Sequence, residues 1–244
     1  MKTLIKNLIK KLIKIALSPF IIPDYLKFKA KSKSDKRFKL SPLDFYPCLK
    51  DKTIKTGFDA HYVYHTSWAA RKVKEINPLV HTDISSSLYF SGLVSAFIPV
   101  DFYDYRPAEL KLSNLKSAHC DLTKLDFPSN SLKSLSCMHT IEHIGLGRYG
   151  DPIDPEGDLK AIKELKRVLA QEGYLLFVVP VGVARIEYNA HRIYSYEMVR
   201  EYFKEFELKE FSLVDDNGNF IENADKELVK VQKYACGCFL FKKI

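Results

Sequence analysis

Leu132-Lys-Ser-Leu-Ser-Cys-Met138, running into His139-Thr140-Ile141-Glu142-His143 and answered after a Gly-containing loop by Tyr174-Leu-Leu-Phe-Val-Val179, decides the fold of this chain. Residues 132–138 alternate loosely between apolar and polar side chains, as does a strand emerging near a sheet edge or crevice. The polar cluster that follows sits at the strand's carboxyl end, where open parallel sheets bind ligands. Beyond the loop, Leu159, Ile162, Leu165, Lys166 and Leu169 recur mostly at three- and four-residue spacing. Lys160, Lys163, Glu164 and Arg167 lie between them, so the segment reads as an amphipathic helix. Gly173 is its expected stop. Tyr174–Val179 is an unbroken apolar run of the kind found in strands buried on both faces. Strand, helix, strand implies a parallel pair and a doubly wound α/β sheet.

Further strands are expected over Leu79–Ile84, Phe97–Asp104 and Ala118–Leu122, and a closing antiparallel pair over Phe206–Val214 and Tyr234–Phe241. Thr66-Ser67-Trp68 opens a helix to Glu75, which Pro78 ends. Seven strands with interleaved helices account for the chain. Its 244 residues, 46% of them hydrophobic, suffice to bury a sizeable core.

The formal charge of +8 is concentrated at one end. Residues 1–40 hold eleven Lys, one Arg and two Asp, which is +10, so the remainder carries about −2. The chain therefore divides into a basic helix and linker, 1–40, and a domain, 41–244. Phosphate recognition needs a concentrated basic face, so the composition of the domain gives no reason to expect nucleic-acid binding. On a helix, Leu4, Ile5, Leu8, Ile9, Leu12, Ile13, Ile15 and Ala16 share one half, and Lys6, Lys10, Lys11 and Lys14 fall on the other. Such a helix is too interrupted by lysine to span a bilayer or act as a secretory signal. Residues 1–17 are suited to lie on an anionic membrane surface, or to dock on protein. The expected location is cytoplasmic, with peripheral attachment to the inner face of the membrane through that helix. The five cysteines, at 48, 120, 137, 236 and 238, show no C-x-x-C spacing, and the odd count fits free thiols in a reducing compartment.

Cys137-Met138-His139-Thr140-Ile141-Glu142-His143, together with Glu164-Leu-Lys-Arg-Val-Leu169 and Gly173, resembles the class I S-adenosylmethionine-dependent methyltransferases over about Trp68–Lys243. Gly145-Leu-Gly-Arg-Tyr-Gly-Asp-Pro152 and Asn189-Ala-His-Arg192 resemble more narrowly a bacterial family of unknown function within that superfamily. The resemblance implies a Rossmann-like sheet of seven strands whose last is antiparallel, with S-adenosylmethionine as cofactor. It implies that Asp83 opens the cofactor loop, with Ser85 and Ser87 where glycines usually lie, and that Asp104 holds the ribose hydroxyls. A carboxylate at a strand end accepts two such bonds, and Asp101 is the competing choice. Asp121 would accept from the adenine amino group, and Met138 and His139 would line the cofactor.

Glu142, His143 and His191 are the candidate catalytic groups, since an imidazole near its ordinary pKa accepts a hydroxyl proton near neutrality. Arg148, Tyr149, Asp151 and Arg192 are candidate substrate contacts on loops beside the crevice. His139-x-x-Glu142-His143 also matches the inverted zinc-protease pattern, but Gly145 and Gly147 deny it the sustained helix that pattern needs, and no metal ligand is assigned. Two functions remain open at this level. One is methyl transfer to a hydroxyl-bearing acceptor, a small molecule, a surface glycan or its precursor. The other is a catalytically silent interaction module at the membrane surface.

Overall fold

The computed structural model describes residues 18–48 and 51–244, so the amphipathic segment expected over 1–17 lies outside the described residues. The chain separates into two compact units at Phe58/Asp59. In the first, α1 (Ile22–Lys31) carries Pro and Asp24 in its first turn and Lys29 and Lys31 in its last, which suits the helix dipole, and it buries none of its residues. Among the described residues no helix is long and apolar enough to cross a membrane.

The second unit begins with α2 (Ala60–Ile76). This helix starts six residues before the expected Thr66, because the Asp59 carboxylate caps it, accepting from the Tyr62 amide at 3.1 Å. Asn77 closes it in the left-handed conformation, φ 49°. Then follow β1 (His81–Ile84), α3 (Leu88–Val94), β2 (Val100–Asp104), β3 (Leu115–His119), β4 (Leu132–Met138), α4 (Gly157–Val168) and β5 (Leu169–Val181). The chain continues through β6 (Arg185–Glu187), β7 (His191–Ile193), α5 (Tyr196–Tyr202), β8 (Phe206–Val214), β9 (Phe220–Ile221) and β10 (Ala235–Lys243).

The main sheet has the order β3-β2-β1-β4-β5-β10-β8-β9. Its first five strands are parallel, and β10 runs antiparallel between β5 and β8. This is the expected doubly wound sheet with an antiparallel last strand, though with eight strands rather than seven. The extra one, β9, is a two-residue edge, and β6 and β7 form a separate ribbon. The strand expected over Ala118–Leu122 lies earlier, at Leu115–His119, and Leu79 and Val80 are exposed residues ahead of β1.

Gly173 does not stop a helix. Helix α4 passes directly into β5, and the β4–β5 register jumps from Leu132↔Leu169 to Ser134↔Tyr174. The surplus residues bulge out, and a Cβ on Gly173 would stand 2.7 Å from the Ala170 carbonyl oxygen. The buried face of α4 is Ala161, Ile162, Leu165 and Val168; Leu159, expected on it, is 42% exposed.

Helices cover both faces of the sheet, so β5 is apolar without alternation. Leu175, Phe177 and Val179 pack with α4 and α5, whereas Leu176 and Val178 pack with α2 and α3. The strand order turns outward on both sides of the β1/β4 pair, which opens a crevice at their carboxyl ends.

Candidate functional site

A cavity of about 470 Å³ occupies that crevice. The loop after β1 forms one wall without a glycine: Ser85 itself takes the left-handed conformation, φ 57°. Hydroxyls and amides tie this loop to both neighbouring strands. The Ser85 amide donates to the Tyr103 carbonyl at 2.7 Å, Thr140 Oγ1 donates to the Ser85 carbonyl at 2.8 Å, and Ser86 Oγ accepts from the Met138 amide at 3.1 Å. Ser85, Ser87, Asp104, Asp121, Met138 and His139 all line the cavity. Asp104 keeps one carboxylate oxygen on the Arg106 amide at 2.6 Å, and Asp121 accepts from the Thr123 amide and hydroxyl. The competing Asp101 does not line it.

Asp83 is placed differently from expectation. It is fully buried behind the loop and accepts hydrogen bonds from the hydroxyls of Ser136, at 2.5 Å, and Ser91. Burial pushes its carboxyl up to about 6 against those hydroxyls. It braces the loop rather than facing a ligand.

A second cavity, of about 770 Å³, adjoins the first across Tyr62, His139, His143 and Tyr149, which line both. The residues after β4 form only one turn of 3-10 helix, Ile141–His143, and His139 precedes it with φ 54°, so the inverted zinc-protease helix does not form. Glu142 is buried, and its Oε1 lies 2.8 Å from His139 Nδ1. Burial pushes Glu142 up to about 7, opposed by His143 nearby, and pulls His139 down to about 4.

His143 Nδ1 lies 2.6 Å from the Ala190 carbonyl oxygen, to which Arg148 Nη1 also donates at 2.9 Å. A carbonyl only accepts, so Nδ1 carries the proton and Nε2 keeps its lone pair, 3.8 Å from Glu142 Oε1. Burial also lowers the His143 pKa. His191 lines the second cavity, its ring stacked on Tyr234 at 4.7 Å and its Nε2 3.1 Å from Glu187.

Of the expected substrate contacts, Tyr149 lies between the guanidinium groups of Arg106, at 4.7 Å, and Arg148, at 5.1 Å, at the junction of the cavities. Asp151 spends both carboxylate oxygens on the amides of Gly145, Gly147 and Tyr149, and so shapes its loop. Arg192 lines neither cavity. It is buried, donates to the Ile144 and Pro155 carbonyls, and pairs with Asp158 at 3.6 Å. Sequence reasoning missed His61 and Tyr234. They belong to α2 and the approach to β10, at opposite ends of the domain's sequence, and no local pattern joins them.

The sequence profile of the family described as "Caenorhabditis protein of unknown function, DUF268" matches residues 111–244. That description lends no support to the bacterial narrowing of the resemblance. Among curated proteins, no sequence matches the chain. Similar solved structures include the YcgJ protein of Bacillus subtilis, at 13% identity and a TM-score of 0.53, covering 75% of this chain and 99% of that one. A protein from Galdieria sulphuraria, named as a candidate sarcosine dimethylglycine methyltransferase, has 13% identity and a TM-score of 0.53, covering 74% and 86%. The MccD protein has 14% identity and a TM-score of 0.52, covering 74% and 96%. At these identities the likeness is one of fold.

Proposed function

Because the chain belongs to the family described as "Caenorhabditis protein of unknown function, DUF268", and its fold is that of class I S-adenosylmethionine-dependent methyltransferases, we propose that it transfers a methyl group to a hydroxyl-bearing acceptor. The observation that carries this reading is the junction of two cavities at His143: one fits a nucleoside cofactor, the other an acceptor.

The fit to the cofactor rests on the donor and acceptor set. Asp104 offers one carboxylate oxygen that has no protein partner among the described residues, at the strand end where ribose hydroxyls are held. Asp121 offers an acceptor for an amino group, Met138 an apolar wall, and Ser85–Ser87 hydroxyls and amides in place of a glycine loop. A volume of about 470 Å³ lies within the range of small-molecule sites. Bound there, S-adenosylmethionine supplies a methyl group on sulfonium, an electrophile that leaves the protein only orientation and proton removal.

His143 is the base. Ala190 fixes its tautomer, burial keeps it neutral, its Nε2 keeps a lone pair 3.8 Å from Glu142 Oε1, and the residue lines both cavities. Glu142 and His191 both line the acceptor cavity, and Glu142, buried and tied to His139, orients this wall. Arg148 and Tyr149 would meet the acceptor, a small polyol or a surface glycan or its precursor. Residues 1–17 would hold the enzyme on an anionic membrane surface at the cytoplasmic face, joined through residues 1–40 to the domain 41–244.

Transfer of labelled methyl from S-adenosylmethionine to a panel of polyhydroxyl acceptors tests the activity. Label in at least one acceptor with wild type, and incorporation slowed at least about 100-fold with His143→Gln, supports it. Equal incorporation by both removes His143 as base. Vesicles of anionic and of neutral lipid test the membrane claim, since equal pelleting of full-length chain with both removes it.

A further inference from the structure

Beside the second cavity, one ring nitrogen of His61, one of His139 and the Cys236 sulfur lie within 4.8 Å of one another. The three side chains come from α2, the end of β4 and β10, so the fold and not local sequence assembles them. Each is a good ligand for borderline transition metals: imidazole and thiolate together select zinc-like ions over magnesium or calcium.

His139 decides between a packing cluster and a site. Its side chain is 5% exposed, and its Nε2 has no hydrogen-bond partner among the described residues. A buried polar atom without a partner needs an explanation. Its other nitrogen lies against Glu142 at 2.8 Å. If Nδ1 donates to that carboxylate, Nε2 is an unprotonated lone pair directed away from it. This is the carboxylate–histidine arrangement that orients metal-bound imidazoles.

Charge favours the same conclusion. A buried dication needs compensation; burial holds Cys236 as a thiol and pushes Glu142 up to about 7, and a bound cation would draw the proton from each and so gain two negative charges. His65, its Nδ1 2.7 Å from the His61 carbonyl, packs edge-on against His139 at 5.0 Å and closes the inner side. His61 and His139 also line the larger cavity, which would give a bound ion access to water or acceptor.

We propose that His61, His139 and Cys236 bind one zinc-class divalent cation, with Glu142 orienting His139 and the fourth position open to water or to an acceptor hydroxyl or thiol. On binding, the Cys236 S–H bond is exchanged for a sulfur–metal bond and the proton leaves to solvent. The metal site itself does not depend on the methyltransferase reading; only the acceptor at its open position does.

The test loads chelator-stripped full-length protein with Zn²⁺, counted by atomic emission after gel filtration, and with Co²⁺ as a spectroscopic probe. The expected result is one ion per chain and a thiolate-to-cobalt charge-transfer band. Cys236→Ser should abolish the band and Cys48→Ser, at an exposed position, should leave it. His61→Gln changes a half-buried ligand whose ring stacks on His139 and Tyr234, and in protein that still melts cooperatively it should weaken Co²⁺ binding at least tenfold. Glu142→Gln should weaken it about 10- to 100-fold. No retained metal, a band that survives Cys236→Ser, or unchanged affinity in His61→Gln overturns the site. Titration of the same stripped samples with S-adenosylmethionine keeps the two claims apart, because cofactor binding without metal binding sinks only this one.

Discussion

His143 Nδ1 lies 2.6 Å from the main-chain oxygen of Ala190, a contact that joins the turn after β4 to the ribbon after β5. That bond settles which nitrogen of His143 is basic, and the proposed chemistry depends on it.

Replacing His143 by Gln should lower kcat by about 10²- to 10⁴-fold while S-adenosylmethionine binding persists. In the wild type, burial sets the imidazole pKa below 6.5, so the rate should rise with pH through an acid limb below that value and then level. Steady-state rates across pH check this, and the limb should vanish in the variant.

Buried His81 and Asp83 should tilt stability with pH in opposite directions. His81 bridges the hydroxyls of Ser134 and Ser136, at 2.8 and 2.9 Å, and burial lowers its pKa from 6.5 to about 3. The unfolded chain therefore takes up a proton that the folded one refuses. The stability that His81 confers is whole above 6.5 and is lost as pH falls toward 3, by about 1.4 kcal/mol per pH unit. Asp83 is raised to about 6, so between about 4 and 6 the folded state holds the extra proton, and stability falls as pH rises. Relative to wild type, stability in denaturant melts from pH 6 to pH 4 should rise by about 1.4 kcal/mol per pH unit in His81→Gln and fall by about as much in Asp83→Asn. Parallel curves would contradict both assignments.

Gly145 has φ +81°, and a Cβ there would stand 2.0 Å from the Asp154 carbonyl oxygen. Gly145→Ala should cost at least about 1–3 kcal/mol. It should also displace the loop that Asp151 organises, so a thermal melt should fall and acceptor KM should rise.

Leu165, fully buried on α4 against β5, carries the packing of one sheet face. Leu165→Ala should destabilise by about 2–5 kcal/mol in a denaturant melt, without moving cofactor affinity at temperatures where the variant is folded.

Much of this fold is legible because β4, α4 and β5 differ in hydrophobic period, and because β5, covered on both faces, is apolar without alternation. The start of α2 is not legible: His61-Tyr-Val-Tyr-His65 has no helical stripe, and the signal is the lone cap Asp59. Gly173 reads as a helix stop because a bulge and a cap use glycine for the same backbone freedom. Within the site, strand-end acids are readable by position, and Asp104 and Asp121 do line the cavity. Asp83 shares that position, yet its burial depends on Ser91 and Ser136, which only the folded sheet brings to it. The meeting of His61, His139 and Cys236 is long-range for the same reason.

The central claim is that the crevice at β1, β2 and β4 binds S-adenosylmethionine. Isothermal titration of the purified chain with S-adenosylmethionine and S-adenosylhomocysteine, repeated on Asp104→Ala, tests it most directly. Micromolar binding of both that weakens at least tenfold in the variant is the expected result. No heat and no thermal shift with either compound, in a wild-type protein that melts cooperatively, would contradict the account.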